Sequence, residues 1–280
     1  YIAPRPLIPM VKRTSHRYAK FLAKNAAALT GPSKKVEEFF KECGVYKEVA
    51  VVPNPVELDI FRPENINEEK KKEFRKKYHF SEDDTVVCFC GRLGKEKSVD
   101  VLLEYWAKTV KPTDRLRLII IGGGPSEEEL KEQAKKLGIS DMVTFTGKVM
   151  HDELPPYYAG CDLYITASLS DTNSISMLEA MATGLPVIHR YDPLNEGQVR
   201  NGVNGYIYHD AEEMYHYLIM MRDKTPEEKE KFRISVRNSV THSGCEDLAK
   251  YLISIYEKAL NIQKPKPLRR RKVAKVRKKY

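Results

Sequence analysis

Two carboxylates frame a loop–helix junction in the stretch SLSDTNSISMLEAMATGLPVI at residues 168–188. Asp171 precedes the predicted helix, and Glu179 lies about two turns inside it. Side chains placed in this way can reach different parts of one polyhydroxylated ligand. The backbone N–H groups at the start of the helix, together with its dipole, favour an anion between them. The pattern fits a sugar nucleotide, with one acid for the hydroxyls of the sugar and the other for those of the ribose.

Two cations, Arg92 and Lys97, follow the apolar run TVVCFC at 85–90. Their charges and forked hydrogen bonding suit a diphosphate. Each residue also has a plainer interpretation: Asp171 as a helix cap, Glu179 as a solvent-facing helix residue, and the two cations as surface charges. Because all of them fall near the ends of predicted strands, we favour a shared ligand site.

Apolar strands and amphipathic helices alternate from residue 85 onward. This alternation predicts an α/β fold with a doubly wound, Rossmann-like parallel sheet that is covered on both faces. An open parallel sheet binds ligands at the carboxyl ends of its strands, where the acids and cations lie. The predicted strands are 85–90, 116–121, 142–147, 162–167 and 185–189, and the helices between them are 99–110, 126–138, 151–160 and 174–184.

The chain before residue 80 is a separate, partial unit, and three amphipathic helices close the chain after residue 209. We predict three parts: a partial domain at 1–55, a nucleotide-sugar-binding domain at 56–262 and a basic tail at 263–280. The unit before residue 80 has predicted helices at 16–26, 33–44 and 64–76 and strands at 27–31 and 48–54. The closing helices are predicted at 211–224, 226–240 and 245–260.

Composition is ordinary for a globular protein, with 41% hydrophobic and 31% charged residues. The five cysteines are scattered, and Cys88 and Cys90 alternate inside a strand without the spacing of a zinc site. A reduced, cytosolic compartment is the prediction. No apolar run approaches the roughly 20 residues that cross a bilayer, and no signal peptide is visible. The chain begins with Tyr1, which suggests a piece of a longer protein.

The basic character of the chain is confined to its end. Residues 264–280, KPKPLRRRKVAKVRKKY, carry ten Lys or Arg and no acid, so the net charge of +9 leaves −1 for the rest. Each such cation near an anionic membrane contributes about 1 kcal/mol. We therefore expect contact with anionic lipid through this basic tail, to which the helix at 16–26 could add. A solvated, disordered tail and a nucleic-acid patch stay open as alternatives.

Several ordered motifs resemble one known family. GRLGKEKSVDVLLE, IIGGGPSEEELKEQAKKLGISDMVTFTGKV, SLSDTNSISMLEAMATGLPVI and NGVNG resemble the C-terminal nucleotide-binding domain of family 4 retaining glycosyltransferases with the GT-B fold. Within that family, the third motif and HRYDPLNEGQVRNGVNG are most similar to bacterial diacylglycerol glucosyltransferases. The resemblance implies a GT-B C-terminal domain with a remnant of the N-terminal domain, since only 16–52 could belong to the latter.

The resemblance also implies residue roles. Arg92 and Lys97 correspond to the diphosphate-binding pair, and Asp171 and Glu179 to the two acids of the E-x7-E motif, which act in catalysis. The second acid binds the ribose, and the first contacts the donor sugar, here with an Asp one methylene shorter than the usual Glu. The implied contacts to sugar and phosphate come from the backbone of Asn173, Ser174, Ile175 and Ser176, and the implied base pocket is lined by Gly147, Lys148 and Val149.

The function implied by the resemblance is that of a hexosyltransferase. It would move a sugar, with glucose expected, from a UDP-sugar to a membrane lipid such as diacylglycerol or a glycolipid, with retention and without an obligatory metal or another cofactor. The protein would be cytoplasmic and peripheral at the inner face of a membrane, and activity would require the rest of the N-terminal domain. Three alternatives stay open: a nucleotide-sugar-binding or regulatory module without turnover, an enzyme with a soluble saccharide acceptor, and, as the least expected, a nucleic-acid-binding protein.

Overall fold

The computed structural model describes residues 8–65, 68–194 and 197–263. The basic tail at 264–280 therefore lies outside the described residues. The first part of the chain forms a small unit around two parallel strands, with its own apolar cluster that includes Ala23 and Val49. Its helix at 34–42 is capped by Ser33, whose hydroxyl accepts a hydrogen bond from the Lys35 amide. The elements of this unit are α1 (Ile8–Asn25), β1 (Leu29–Gly31), α2 (Lys34–Glu42) and β2 (Val49–Val51).

The rest of the chain builds a six-stranded sheet with helices between the strands. Short 3-10 turns such as Lys95–Lys97 lie in the connections. Its strands are β3 (Thr85–Cys90), β4 (Leu116–Ile121), β5 (Val143–Phe145), β6 (Leu163–Thr166), β7 (Val187–Arg190) and β8 (Gly205–Tyr208). Its helices are α3 (Leu58–Phe61), α4 (Glu68–Lys77), α5 (Val99–Thr109), α6 (Glu127–Lys136), α7 (Leu154–Ala159), α8 (Ile175–Ala182), α9 (Ala211–Arg222), α10 (Pro226–Asn238) and α11 (Cys245–Gln263).

All six strands are parallel, in the order β5-β4-β3-β6-β7-β8. Successive strands are therefore added on one side of β3 up to β5 and on its other side from β6 onward, so the strand order reverses between β3 and β6. The loops that leave the carboxyl ends of these two strands diverge there and open a crevice, which is where such sheets bind ligands. Arg92 and Lys97 follow β3, and Asp171 follows β6, so both predicted charge groups belong to this crevice.

Alternate residues of β3 pack against different helix layers. Val87 and Phe89 belong to the apolar cluster that α5, α6 and α9 complete, whereas Val86 and Cys88 belong to the cluster with α7 and α8. Each fully buried side chain of this kind contributes about 1.5–3 kcal/mol. Helices cover both faces of the sheet, so the predicted doubly wound α/β fold is confirmed.

The predicted helices and strands are found within a few residues of their expected positions, with three additions. Helix α1 begins at Ile8 rather than at residue 16, and the short elements α3 and β8 were not predicted. The β8 segment GYIY directly follows a turn and spans four residues, so its local pattern is too short to separate it from a loop. Among the described helices, none combines the length and the apolarity that crossing a bilayer requires.

The cysteines differ sharply in exposure, which gives a first testable prediction. Cys43, Cys88, Cys90 and Cys161 are buried, and Cys245 is exposed. Burial raises the pKa of Cys90 to about 12, so its thiol stays protonated and unreactive at neutral pH. A thiol reagent at neutral pH is expected to modify Cys245 alone in the folded protein, as followed by mass spectrometry over time. Rapid modification of Cys90 before unfolding would contradict this arrangement.

Candidate functional site

A cleft of about 690 Å³ opens at the carboxyl ends of β3 and β4, beside α8. It lies at the reversal of strand order, where ligand binding is expected for this topology. The glycine turn at 122–124 forms part of its wall. Five of the residues predicted from the sequence also line it: Arg92, Lys148, Val149, Ser176 and Glu179.

The glycine turn is built for close contact with the loop that follows β3. The Leu93 amide donates to the Gly123 carbonyl at 3.0 Å, and the Gly91 amide donates to the Ile121 carbonyl at 2.9 Å. A Cβ atom added at Gly122 would lie 2.1 Å from the Gly91 carbonyl oxygen. The absence of side chains therefore lets the two loops join into one continuous wall of the cleft.

Replacement of Gly122 by Ala is expected to lower the free energy of unfolding by about 1–3 kcal/mol. Gly122 has φ +129°, which an L-residue rarely adopts, and the new methyl would meet backbone rather than a flexible side chain. Urea denaturation measures the loss. Gly138→Ala is the matched control, since Gly138 has φ +71° with nothing within 4 Å of an added Cβ. An equal loss in both variants would contradict the role of close approach.

Glu179 is almost completely buried, at 4% exposure, so its interpretation as a solvent-facing residue is wrong. Its carboxylate accepts a hydrogen bond from the Tyr158 hydroxyl at 3.0 Å and lies 2.9 Å from Nε2 of His151. Burial raises the pKa of Tyr158 well above its ordinary value, which keeps the hydroxyl protonated as a donor. The His151 side chain is 53% exposed, and Glu179 itself lines the cleft.

Asp171 and Lys97 form an ion pair across the crevice. Oδ1 of Asp171 lies 2.5 Å from Nζ of Lys97, with side-chain exposures of 14% and 23%. Asp171 does not cap the following helix, because that position belongs to Ser174, whose hydroxyl accepts from the Met177 amide. The interpretation of Asp171 as a helix cap is therefore wrong. The pair joins the loop after β3 to the loop after β6.

A polar cluster lies at the start of α8. The Ser176 hydroxyl is 3.0 Å from the Tyr164 hydroxyl and 3.1 Å from the Ser174 hydroxyl. Tyr164 is also 3.3 Å from the Cys90 carbonyl, which connects the cluster to the end of β3. These contacts fix the helix terminus relative to the central strand, so its amide groups have a defined direction.

Six other predicted contact residues do not line the cleft: Lys97, Gly147, Asp171, Asn173, Ser174 and Ile175. The Asn173 side chain accepts from the Asn54 amide at 2.9 Å, and Ile175 is exposed. Gly147 has φ +70°, and its carbonyl accepts from the Gly122 amide. The Arg92 guanidinium is half-exposed at the edge of the cleft, where it pairs closely with Glu96.

Three residues that sequence analysis did not assign to the site belong to its surroundings. Tyr158 and His151 contact Glu179, and the ammonium group of Lys35 contacts the backbone of the loop that carries Asp171. Lys35 lies 136 positions from Asp171, so no local spacing points to the contact. A histidine a few residues after the predicted base pocket was the only available signal for His151.

A family model described as Glycosyl transferases group 1 matches residues 70–239. An alpha-monoglucosyldiacylglycerol synthase of Streptococcus pneumoniae is 31% identical over 199 residues, covering 71% of this chain and 45% of that protein. The protein of the same name from Acholeplasma laidlawii is 27% identical over 220 residues, covering 79% of this chain and 54% of that protein. The chain thus spans about half the length of these two relatives.

Solved structures show the same fold. HepE of Anabaena, determined in complex with UDP and glucose, superposes with a TM-score of 0.76 and is 19% identical. The match covers 88% of this chain and 67% of the other. At this level of identity the likeness shows the fold alone.

Proposed function

Because the chain belongs to the group 1 glycosyl transferases, we propose that it binds a UDP-sugar and serves transfer of the sugar to a membrane lipid. UDP-glucose is the first candidate donor, and diacylglycerol or a glycolipid is the first candidate acceptor. The observation that carries the proposal is the cleft of about 690 Å³, which collects buried Glu179, Arg92 and the start of α8 at the reversal of strand order.

The donor fits this cleft with its parts in a defined order. The ribose hydroxyls would donate hydrogen bonds to the Glu179 carboxylate. They would bind at the oxygen that lies 2.9 Å from Nε2 of His151. Lys148 and Val149, which line the same cleft, would border the base. HepE was solved with UDP and glucose, and this supports a nucleotide diphosphate as the ligand class.

The diphosphate would lie between Arg92, Lys97 and the start of α8. Nζ of Lys97 lies 2.5 Å from the Asp171 carboxylate, so the two charges compensate each other. We propose that the diphosphate displaces this carboxylate from the ammonium group, which frees Asp171 to contact hydroxyls of the sugar. The exchange replaces one anion by another beside Lys97, so no cation is left unpaired in either state.

Transfer would proceed with retention and without an obligatory metal. Negative charge grows on the departing nucleotide diphosphate as the anomeric bond breaks. Lys97, Arg92 and the amide groups at the start of α8 would stabilise that charge without rearranging, which is the kind of preorganised electrostatic help that dominates many enzymes. The acceptor hydroxyl would attack from the face of the leaving phosphate, which would receive its proton.

The names of the two bacterial relatives support a diacylglycerol-based acceptor. Such an acceptor is embedded in a bilayer, so the protein would act as a peripheral protein at the cytoplasmic face of the membrane. The ten cations of 264–280 would add electrostatic attraction to anionic lipid, at about 1 kcal/mol for each Lys or Arg close to the surface.

The proposal is tested by incubating the chain, fused to a complete N-terminal domain of this family, with radiolabelled UDP-glucose and vesicles that contain diacylglycerol and anionic lipid. Labelled glycolipid that requires both the donor and diacylglycerol is the expected product. Release of free glucose with no labelled lipid would favour a soluble acceptor or hydrolysis. Absence of product from any sugar nucleotide, in a chain that binds UDP, would limit the function to donor binding.

A further inference from the structure

A lysine of the small N-terminal unit reaches the loop that carries Asp171. Nζ of Lys35, in the first turn of α2, donates to the backbone carbonyls of Leu169 and Asp171, both at 2.7 Å. It also lies 2.5 Å from the Asp192 carboxylate. The three partners match the three N–H donors of an ammonium group, so every hydrogen-bond donor of Nζ has an acceptor within the protein.

The contact is shielded from water. The side chains of Lys35 and Asp192 are only 12% and 6% exposed. An exposed pair contributes little, whereas loss of one partner from a shielded pair leaves a charge without compensation. Lys35 is therefore anchored firmly enough to fix the two carbonyl groups that it contacts.

The loop at 168–174 contains no helix or strand, so its path depends on contacts from outside. Near its start, Lys35 holds two carbonyl groups, and near its end the Asn54 side chain donates to the Asn173 carbonyl at 2.7 Å. Both tethers come from the first 55 residues. The N-terminal unit thus contacts this loop at both ends, in addition to the contact of Lys97 with Asp171.

Asp171 is held at two points. Its carbonyl oxygen accepts from Lys35, and its carboxylate pairs with Lys97. A short Asp side chain adjusts little, so the direction of its carboxylate follows its backbone closely. A displacement of about 1 Å in a positioned group can cost about 100-fold in rate.

From these contacts we infer that Lys35 is a positioning residue, which sets the place of Asp171 and, through it, of the donor sugar. The inference about the sugar rests on the proposed function. Lys35 acts through the backbone of the loop and does not contact the donor. The small N-terminal unit thereby takes part in sugar recognition although the nucleotide cleft is built by the six-stranded sheet.

The first test needs no ligand. Lys35→Met removes the ammonium group, and Lys34→Met is the matched control because Lys34 is its exposed neighbour on α2. Acetylation of lysine amines, read by mass spectrometry, reports how well Asp171 protects Lys97. We expect Lys97 to be modified several-fold faster in Lys35→Met than in the wild type, and at the wild-type rate in Lys34→Met.

The second test compares two ligands. Calorimetry gives the ratio of the affinities for UDP-glucose and UDP, which isolates the contribution of the sugar. Lys35→Met is expected to lower this ratio by about tenfold, while the affinity for UDP stays within about twofold. Lys35→Arg keeps a cation near the same carbonyl groups and is expected to restore part of the ratio.

Folding is controlled by a double variant. Lys35→Met leaves Asp192 as a buried charge, and Lys35→Met with Asp192→Asn removes both charges. The inference is overturned if folded variants show wild-type labelling of Lys97 or a wild-type affinity ratio. A wild-type chain that binds neither nucleotide contradicts the proposed function instead, and labelling of Lys97 then decides whether Lys35 holds the loop.

Discussion

Replacement of Lys97 by Met is expected to weaken UDP binding by about 10- to 150-fold, because a hydrogen bond to a charged group contributes about 1.5–3 kcal/mol. Sugar transfer is expected to slow by about 100- to 1,000-fold, the usual effect of removing one donor that stabilises developing charge. The variant also leaves the Asp171 carboxylate, 14% exposed, without its partner and close to the incoming diphosphate. Calorimetry and an initial-rate assay measure the two effects.

A second substitution separates two effects of Lys97→Met: the lost attraction between Lys97 and the diphosphate, and the repulsion between Asp171 and the diphosphate. Adding Asp171→Asn to Lys97→Met removes the carboxylate that would repel the diphosphate, so part of the UDP affinity is expected to return. Lys95→Met is the control, because Lys95 is 83% exposed and pairs with Glu129 on the surface. UDP binding by Lys97→Met within twofold of the wild type would contradict the diphosphate site.

Replacement of Glu179 by Gln is expected to abolish discrimination between UDP and 2′-deoxy-UDP. In the proposed function the wild-type carboxylate would accept from both ribose hydroxyls, and such charge-assisted bonds are about twice as strong as neutral ones. An amide keeps an acceptor for Tyr158, so the fold is retained, and the affinity ratio of the two nucleotides should fall from about tenfold or more to near one. Competition binding with both nucleotides measures the ratio.

The Glu179→Ala variant measures what Glu179 contributes to the stability of the fold. Glu179→Ala leaves the buried Tyr158 hydroxyl without its acceptor, which is expected to cost about 1–3 kcal/mol of unfolding free energy. Glu212→Gln is the matched control for both measurements, since Glu212 is exposed on α9 and pairs with Lys108. An unchanged preference for UDP in Glu179→Gln would exclude Glu179 as the ribose ligand.

Much of the fold could be predicted because its signals are local. The run LRLIII at 116–121 and the helix pattern that follows are sufficient to identify a buried strand and its connection, and alternation then predicts the parallel sheet. β8 was not predicted because four residues after a turn are too few to show the alternation of a strand. The family resemblance drawn from the motifs is confirmed, including the likeness to diacylglycerol glucosyltransferases.

The features of the site that could be predicted are those that follow from the position of strand ends in a parallel sheet. Residues that follow strands, such as Arg92 and Lys148, meet at one edge of a parallel sheet whatever their separation along the chain. The contacts among side chains follow no such rule. Tyr158 reaches Glu179 over 21 positions and Lys35 reaches Asp171 over 136, because packing between elements brings them together.

The pairing of Asp171 with Lys97 also could not be predicted from the sequence. Both residues were predicted as ligand contacts, and their spacing gave no indication that they would pair with each other at 2.5 Å. Two opposite charges at facing strand ends attract strongly once water is partly excluded. Pairing leaves neither of the two partly buried charges uncompensated.

Calorimetric titration of the chain with UDP tests the central claim most directly. We predict saturable binding at one site, weakened in Lys97→Met and unchanged in Lys95→Met. Absence of measurable binding to UDP and to every other nucleoside diphosphate, in a chain shown to be folded by its cooperative unfolding transition, would contradict the assignment of the cleft as a nucleotide-sugar site.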